Sequence, residues 1–377
     1  MNYCLWLSYV WEIGGVTSGR MIEAGLGAED VYKAGEDALR SLEIFDKKQL
    51  SAIEMKKKEF DFSREEYMLA EKGIDFYCKE KGPYPERLRY IFDSPYSLFV
   101  RGKLPDEETP AVAVVGARSC SPYGKAVSRE IGEGLAGYGI NVISGMALGI
   151  DGESQKGALS AGGKTYAVLG SGVDICYPSG NRRLYDEVRR QCGVISEFYP
   201  GTVPQGWNFV LRNRIISGLS DCVIVVEAKA KSGSLITAEY ALQQGRDLYA
   251  VPGYIDQALS RGCNRLIRQG AGIFVSVDDF VEDVSFFEPF SSYLKGVNSK
   301  NNSRGGDAEA NGADNFKLVK SESVVYSSLN LLPKSLEEIG VECSLPPREL
   351  IKAVSSLCSK GLIYESAKGR YSRKKMG

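Results

Sequence analysis

Residues 111–151 read AVAVVGARSCSPYGKAVSREIGEGLAGYGINVISGMALGID. Five consecutive apolar residues, Ala111–Val115, stop at Gly116. Ser121-Pro122 then offers an N-cap and a first-turn proline for a helix that ends near Tyr138. A second apolar run, Asn141–Ser144, leads into another glycine-bearing turn. A strand that is apolar without alternation is buried on both faces, and strand–helix–strand in this form predicts a parallel sheet covered by helices. The same alternation continues to about residue 280, with strands expected at Thr165–Leu169, Val194–Ser196, Cys222–Val226, Leu248–Val251 and Gly272–Val275. The fold class is therefore α/β, with a Rossmann-like parallel-sheet core.

Outward from this core the pattern changes. Residues 1–82 read as an N-terminal helical domain, with apolar positions at helical spacing in Ala38-Leu39-Leu42-Ile44 and again from Tyr67 through Ala70. Gly14-Gly15-Val16 interrupts the first helix and is either a plain inter-helix turn or the turn of a phosphate-gripping helix-hairpin-helix, so the domain is of a SAM or helix-hairpin-helix-like kind. Residues 83–110 are proline-rich and extended, ending in a short strand at Ser97–Val100, so the core domain spans 83–289. Residues 290–316 are rich in Ser, Asn, Gly and Asp and predict a flexible linker. Residues 317–377 predict three short helices (Ser323–Leu331, Ser335–Ile339, Pro347–Lys360) and two strands of a wing, a winged-helix-like domain. From Arg348 to Gly377 there are eight basic and two acidic residues, which suits DNA or protein contacts.

Composition narrows the chemistry. The 377 residues carry 47 basic and 48 acidic side chains, so a polyanion would have to meet a local positive site, not a general basic coat. There is no histidine, and the nine cysteines show no C-x-x-C spacing. A structural metal site, a histidine-based triad and a histidine general base are not expected. Scattered cysteines without a disulfide framework suit a reducing cytosol. Tyr3–Trp11 is apolar but lacks a basic lead and runs into Glu12, so it reads as a helix face, and no stretch reaches the roughly 18 apolar residues of a membrane span. The expectation is a cytoplasmic protein with no membrane contact.

Four loops that follow strands carry the chemistry of an anion site, because helix starts there point free N–H groups beyond the sheet. The first is Gly116-Ala117-Arg118-Ser119, where the glycine permits a sharp turn and the arginine offers a forked donor. It is not a G-x-G-x-x-G, so no dinucleotide and no other cofactor is indicated. The second is Ser144-Gly145-Met146-Ala147, followed by Asp151 in an N-cap or ligand role. The third is Gly170-Ser171-Gly172, followed by Asp174, Tyr177-Pro178 and Asn181, with Tyr177 a candidate for base stacking. The fourth is Ser232-Gly233-Ser234, leading to Thr237 and Glu239. Between the last two lies Asn208–Arg214, in which Arg212 and Arg214 flank Asn213. At i and i+2 the two arginines do not share a helix face, so one is placed to bind and the other to brace through a carboxylate such as Glu197 or Glu227.

The strings SGMALGIDGESQKGAL, GGKTYAVLGSGVDICYPSGN, ISE, FVLRNRIISGLSDCVIVVEAKAKSGSLITAEYAL and VPG, in this order and spacing, resemble the DNA-processing protein A (DprA, or Smf) family over roughly residues 83–280. The resemblance implies a protein that binds single-stranded DNA in a basic pocket, forms a homodimer or homo-oligomer, and hands the strand to a RecA-type recombinase in natural transformation. Carried over by motif, the pocket residues are Gly116, Arg118, Ser144, Gly145, Met146, Ala147, Gly170, Gly172, Arg212, Asn213, Arg214, Ser232, Gly233 and Ser234. Two positions depart from the family pattern: Gln155 stands where a histidine is usual, and Val210 where a proline is usual. The loss of the histidine fits binding better than catalysis, so no catalytic residue is expected. Two rival readings remain: a nucleotide-sensing DNA-binding regulator, and a nucleoside-monophosphate phosphoribohydrolase, since SGSLITAE resembles the loop of those enzymes with Glu239 as the assisting acid.

Overall fold

The computed structural model describes residues 1–303, 320–329, 334–343, 345–367 and 369–373. Nine strands form one sheet: β1 (Asp75–Cys78), β2 (Ser97–Gly102), β3 (Ala111–Val115), β4 (Asn141–Ser144), β5 (Thr165–Val168), β6 (Gly193–Ser196), β7 (Cys222–Val225), β8 (Asp247–Ala250) and β9 (Gly272–Ile273). Their order across the sheet is β1-β2-β6-β5-β4-β3-β7-β8-β9. From β6 to β9 every pairing is parallel, while β2 joins β6 and β1 joins β2 antiparallel. Every residue of β3 to β7 is buried, which is why their sequences are apolar without alternation apart from the strand-end polar residues Asn141, Ser144, Thr165 and Ser196. The chain steps outward from β3 through β4, β5 and β6, then returns to lay β7 on the other flank of β3, in register Val112 to Cys222 and Val115 to Val225. That reversal opens a crevice beyond the carboxyl ends of β3 and β7, where doubly wound sheets hold ligands.

The helices over the sheet are set by small residues. Pro122–Gly137 starts at Ser121, whose hydroxyl accepts the Gly124 N–H, as the Ser-Pro signal predicts. It crosses Ile150–Ser160 at Gly132 and Gly157, where added Cβ atoms would stand 2.0 Å from the Ser154 carbonyl oxygen and 2.2 Å from that of Arg129. Backbone-to-backbone packing at these two glycines fixes the start of each helix, and hence two of the four expected ligand loops.

Three expectations change. Residues 75–78, inside the segment read as helical, form β1, because Phe76 and Tyr77 of this short aromatic run pack on the sheet core through β2. The division expected at residue 82 lies inside one compact unit, Met1–Val297. The first helices do have a core of their own around Trp6, Met21 and Ile53, yet Leu5, Leu69 and Ile74 belong to the core of the sheet, and Tyr9 stacks on Tyr199 at 4.7 Å. The linker expected from 290 begins as a helix, Phe290–Ser303, anchored by buried Phe290 against Phe280 and by the Tyr293 hydroxyl donating to the Gly139 carbonyl at 3.0 Å. Phe290, Tyr293 and Leu294 lie at i, i+3 and i+4, an apolar stripe that the polar composition around it masked. Residues 304–316 of that linker lie outside the described residues.

Beyond Val297 the described residues form a second unit. It contains the helices Lys320–Ser328, Leu336–Cys343 and Pro347–Ser359, and the strands β10 (Lys334–Ser335), β11 (Ile363–Ala367) and β12 (Arg370–Arg373) in the antiparallel order β10-β12-β11. Leu350, Ala353, Val354 and Leu357, at i, i+3, i+4 and i+7 of the third helix, pack on Val325, Ile339 and Ile363. Lys368, Lys374 and Lys375, three of the eight basic residues counted from Arg348, lie outside the described residues.

The glycine contact between the two helices gives a direct stability contrast. Gly132→Ala is expected to lower the unfolding free energy by about 1–3 kcal/mol through overpacking against Ser154. Gly137→Ala, where nothing lies within 4 Å of the added methyl group, is expected to be neutral or to stabilise by about 0.5 kcal/mol. Urea denaturation of the two variants checks both.

Candidate functional site

The crevice at the switch point has a volume of about 400 Å³. Gly116 and Arg118 line it from the loop after β3, Ala147 and Asp151 from the loop after β4, and Lys231, Ser232, Gly233, Ser234 and Thr237 from the loop after β7. The helix Gly206–Gly218 closes the remaining side with Phe209, Val210, Arg212, Asn213 and Ile216. Eight of the fourteen pocket residues carried over by motif thus share one cavity: Gly116, Arg118, Ala147, Arg212, Asn213, Ser232, Gly233 and Ser234. Two helix starts open at it, Gly206–Gly218 and Gly233–Gln243, and neither has a side chain capping its first turn. Free N–H groups at such starts carry partial positive charge suited to an anion.

The cations of the crevice differ in kind. Arg212 is only 4% exposed. Its guanidinium donates to the carbonyl oxygens of Gly145 (2.9 Å) and Val168, and through Nε to the Asn213 side chain (3.3 Å). Burial pulls its pKa down to about 10, so it stays charged at neutral pH, with the Asp151 carboxylate opposing the shift. Arg118 is exposed and forms no ion pair with any described residue. Its guanidinium stands 5.0 Å from the centre of the Phe209 ring, which Tyr177 also meets in a stacked geometry at 5.4 Å and 28°. Tyr177 is 41% exposed and sits at the edge of this stack. An aromatic pair beside an unneutralised arginine can take a planar π-system on one side and an anion on the other.

The remaining expected residues build the wall from behind. The Ser144 hydroxyl donates to the Val114 carbonyl at 2.6 Å, tying β4 to β3. Gly145 leaves room for Arg212, since a Cβ there would stand 2.6–2.7 Å from the guanidinium. Met146 is buried at φ +56°, and its carbonyl accepts from Asn181 at 2.8 Å. Gly170 makes room for the Phe209 ring, which a Cβ would approach to 2.7 Å, and Gly172 is packed against the Tyr199–Gly201 backbone. Asp151 is not an N-cap: the helix Ile150–Ser160 is capped by Gly149 at φ +78°, the sign of φ that glycine tolerates best. The Asp151 carboxylate reaches back instead to the Gly145 N–H at 3.2 Å, and burial raises its pKa against the pull of Arg212.

Arg214 is not in the crevice. Two residues on from Arg212, it leaves the helix on another face and pairs with Glu197 (2.8 and 2.6 Å) and Asp93 (2.9 Å). The brace is therefore Glu197. Glu227 acts elsewhere, accepting from the Ser121 N–H (2.8 Å) and hydroxyl (2.5 Å) and so holding the first loop to the end of β7. Glu239 faces an adjoining groove and not the crevice. The Gly14-Gly15 turn packs on the Asp93-Ser94 backbone, in a cleft lined by Glu12, Asp93, Glu197 and Arg214, where the one guanidinium is already paired to Asp93 and Glu197 and the net charge disfavours phosphate. Gln155 is buried beneath the sheet, where its amide donates to Thr165 Oγ1 and the Tyr166 carbonyl, while Val210 lies on the crevice rim.

Sequence reasoning missed Phe209 and Lys231. Phe209 precedes Arg212 by three positions and so shares its helix face, and Lys231 is the residue before the fourth loop. Both signals were present as spacing.

A doubly wound sheet with a cationic crevice at its switch point defines a Rossmann-like, anion-binding class of protein. The chain belongs to the DNA recombination-mediator protein A family, which residues 75–285 match. Among curated relatives, it is 45% identical to the DNA processing protein DprA of Streptococcus pneumoniae over 203 residues, 54% of this chain and 72% of the relative. It is 40% identical to that of Bacillus subtilis, over 58% of this chain and 76% of the relative. The solved DprA structure from S. pneumoniae superposes with a TM-score of 0.65 at 35% identity, covering 75% of this chain and 97% of that one. DNA processing protein A from Helicobacter pylori, a protein with a described single-stranded DNA binding mode, superposes with a TM-score of 0.51 at 27% identity, covering 56% and 97%.

The two arginines, one exposed and one paired, separate by stability. Arg214→Ala leaves Glu197 and Asp93 without their buried partner and is expected to cost about 3 kcal/mol. Arg118→Ala is expected to stay within about 0.5 kcal/mol of the parent. Chemical denaturation distinguishes them.

Proposed function

We propose that the crevice binds single-stranded DNA, and that the protein acts as a strand-binding mediator of recombination and natural transformation without catalysis of its own. One observation carries this reading: Arg118 and Lys231, both without carboxylate partners among the described residues, face two uncapped helix starts beside the Tyr177–Phe209 stack. Phosphates would meet the guanidinium, the ammonium and the N–H groups, while unpaired bases would lie against the aromatic rings. Phosphate contacts and stacking are largely indifferent to base identity, so little sequence preference is expected. The relatives' names and the H. pylori protein's single-strand binding support the choice of ligand.

The family description supports a recombinase of the RecA type as the protein partner, and self-association is part of the same reading. The three helices and small antiparallel sheet described in the second unit support reading it as winged-helix-like, with DNA or protein as its contact. The placement of Glu239 outside the crevice speaks against the phosphoribohydrolase reading, which needs that carboxylate beside the bound phosphate's sugar.

Fluorescence anisotropy with oligo-dT tests the proposal. Arg118→Ala is expected to weaken binding and to reduce the slope of log K against log salt by about 0.7, the value of one lost single-strand phosphate contact. Unchanged affinity and slope would remove Arg118 from the interface. Phe209→Ala is expected to lose about 1–3 kcal/mol of binding free energy while the salt slope stays as in the parent, because stacking releases no counterions.

A further inference from the structure

Beside the crevice lies a second, larger groove of about 640 Å³ that shares Lys231, Ser232 and Gly233 with it. Its floor is apolar, formed by Leu235, Ile236, Leu242 and Leu266, and its far wall is the helix Arg261–Arg268. Gly262, Arg265, Leu266 and Gln269, at i, i+3, i+4 and i+7, present one face of that helix and its C-cap to the groove. The helix cannot drift from this position. Its Gly262 N–H donates to the Ala228 carbonyl at 2.8 Å, and a Cβ on Gly262 would stand 2.6 Å from that same oxygen. Ala228 immediately follows Glu227, which clamps the first ligand loop, so both cavities are built on the end of β7.

Charge distinguishes this wall from the rest of the core. Arg261, Arg265 and Arg268 are exposed, recur at i, i+4 and i+7, and form no ion pair with any described residue. Lys229 and Lys231, on the strip between the groove and the crevice, are likewise exposed and without a carboxylate partner there. Elsewhere on the core an arginine-rich helix is partly compensated: on Arg182–Gln191, Arg182 and Arg189 share Asp186, Arg183 pairs with Glu187, and Arg190 donates to the Asp186 carbonyl. A row of uncompensated cations attracts the phosphates of an unpaired strand, and an aliphatic floor beneath them offers apolar contact to base faces. Glu239 is the one carboxylate among the groove's lining residues.

We propose that the strand held in the crevice continues across Lys231 into this groove, where Arg265 meets its next phosphates and the leucine-lined floor receives its bases. The inference rests on the crevice being the single-strand site. It assigns Arg265 as a binding residue that acts only on strands long enough to leave the crevice, and Glu239 as a carboxylate that weakens that same segment.

The test measures anisotropy of the full chain with two oligo-dT probes, one of about 5 and one of about 16 nucleotides, near the two ends of known single-strand footprints. Arg265→Ala is expected to weaken the longer probe about threefold or more and to lower its salt slope by about 0.7, while leaving the shorter one within about twofold. Glu239→Gln is expected to tighten the longer probe, a gain that misfolding does not produce. Arg118→Ala is the control and should weaken both. If Arg118→Ala weakens both probes but Arg265→Ala and Glu239→Gln leave the longer one unchanged, the groove is excluded and the crevice reading stands. Equal weakening of both probes by Arg265→Ala also overturns the second segment. If Arg118→Ala changes neither probe, the crevice reading itself fails.

Discussion

The buried guanidinium of Arg212 is the interaction on which the site depends. A charge that is almost wholly removed from water is tolerated only where its donors are matched, and here they are matched by carbonyls at the ends of two strands. Gly145 follows β4 and Val168 ends β5, so one side chain from the helix Gly206–Gly218 pins both strand ends. Asp151, buried nearby, answers the charge and at the same time accepts the Gly145 N–H. Loop geometry and positive potential therefore come from one group. The cation that shapes the floor of the crevice is held by protein atoms, which leaves Arg118 and Lys231 as the exposed charges that a ligand would meet.

A second constraint is steric. Four glycines that read from sequence as places for a ligand to approach turn out to be places where the protein approaches itself. Gly116 clears Ile150, Gly145 clears Arg212, Gly170 clears Phe209, and Gly172 clears the Gly201 backbone. The same absence of a side chain that brings backbone amides to a phosphate also lets a bulky neighbour reach the crevice wall. Phe209 owes its position beside Arg118 and Tyr177 to the missing Cβ of Gly170.

The parallel sheet was legible because its five central strands are buried on both faces and hence written as apolar runs without alternation, with polar residues only at strand ends. The four loops were legible because each follows such a run. The roles of individual loop residues were not, since they depend on partners far along the chain. Arg214 is turned from the crevice by Asp93, 121 residues away, and by Glu197. Asp151 lost the cap to Gly149 because a positive φ suited glycine there, and spacing alone does not report φ. The helix Phe290–Ser303 was hidden by composition: three apolar residues anchor it within a stretch that is otherwise polar. Phe209 and Lys231 had the right spacing, but nothing local set them above the many other aromatic and basic residues.

The central claim is that unpaired bases lie against Phe209 and Tyr177 with their phosphates at Arg118. Photo-crosslinking of bromouracil-substituted single-stranded DNA to the full chain, followed by mass spectrometry of the linked peptides, addresses it directly. The account requires crosslinks on the peptides that contain Tyr177 and Phe209. Crosslinks confined to residues 320–373, with both of those peptides unmodified, would contradict it.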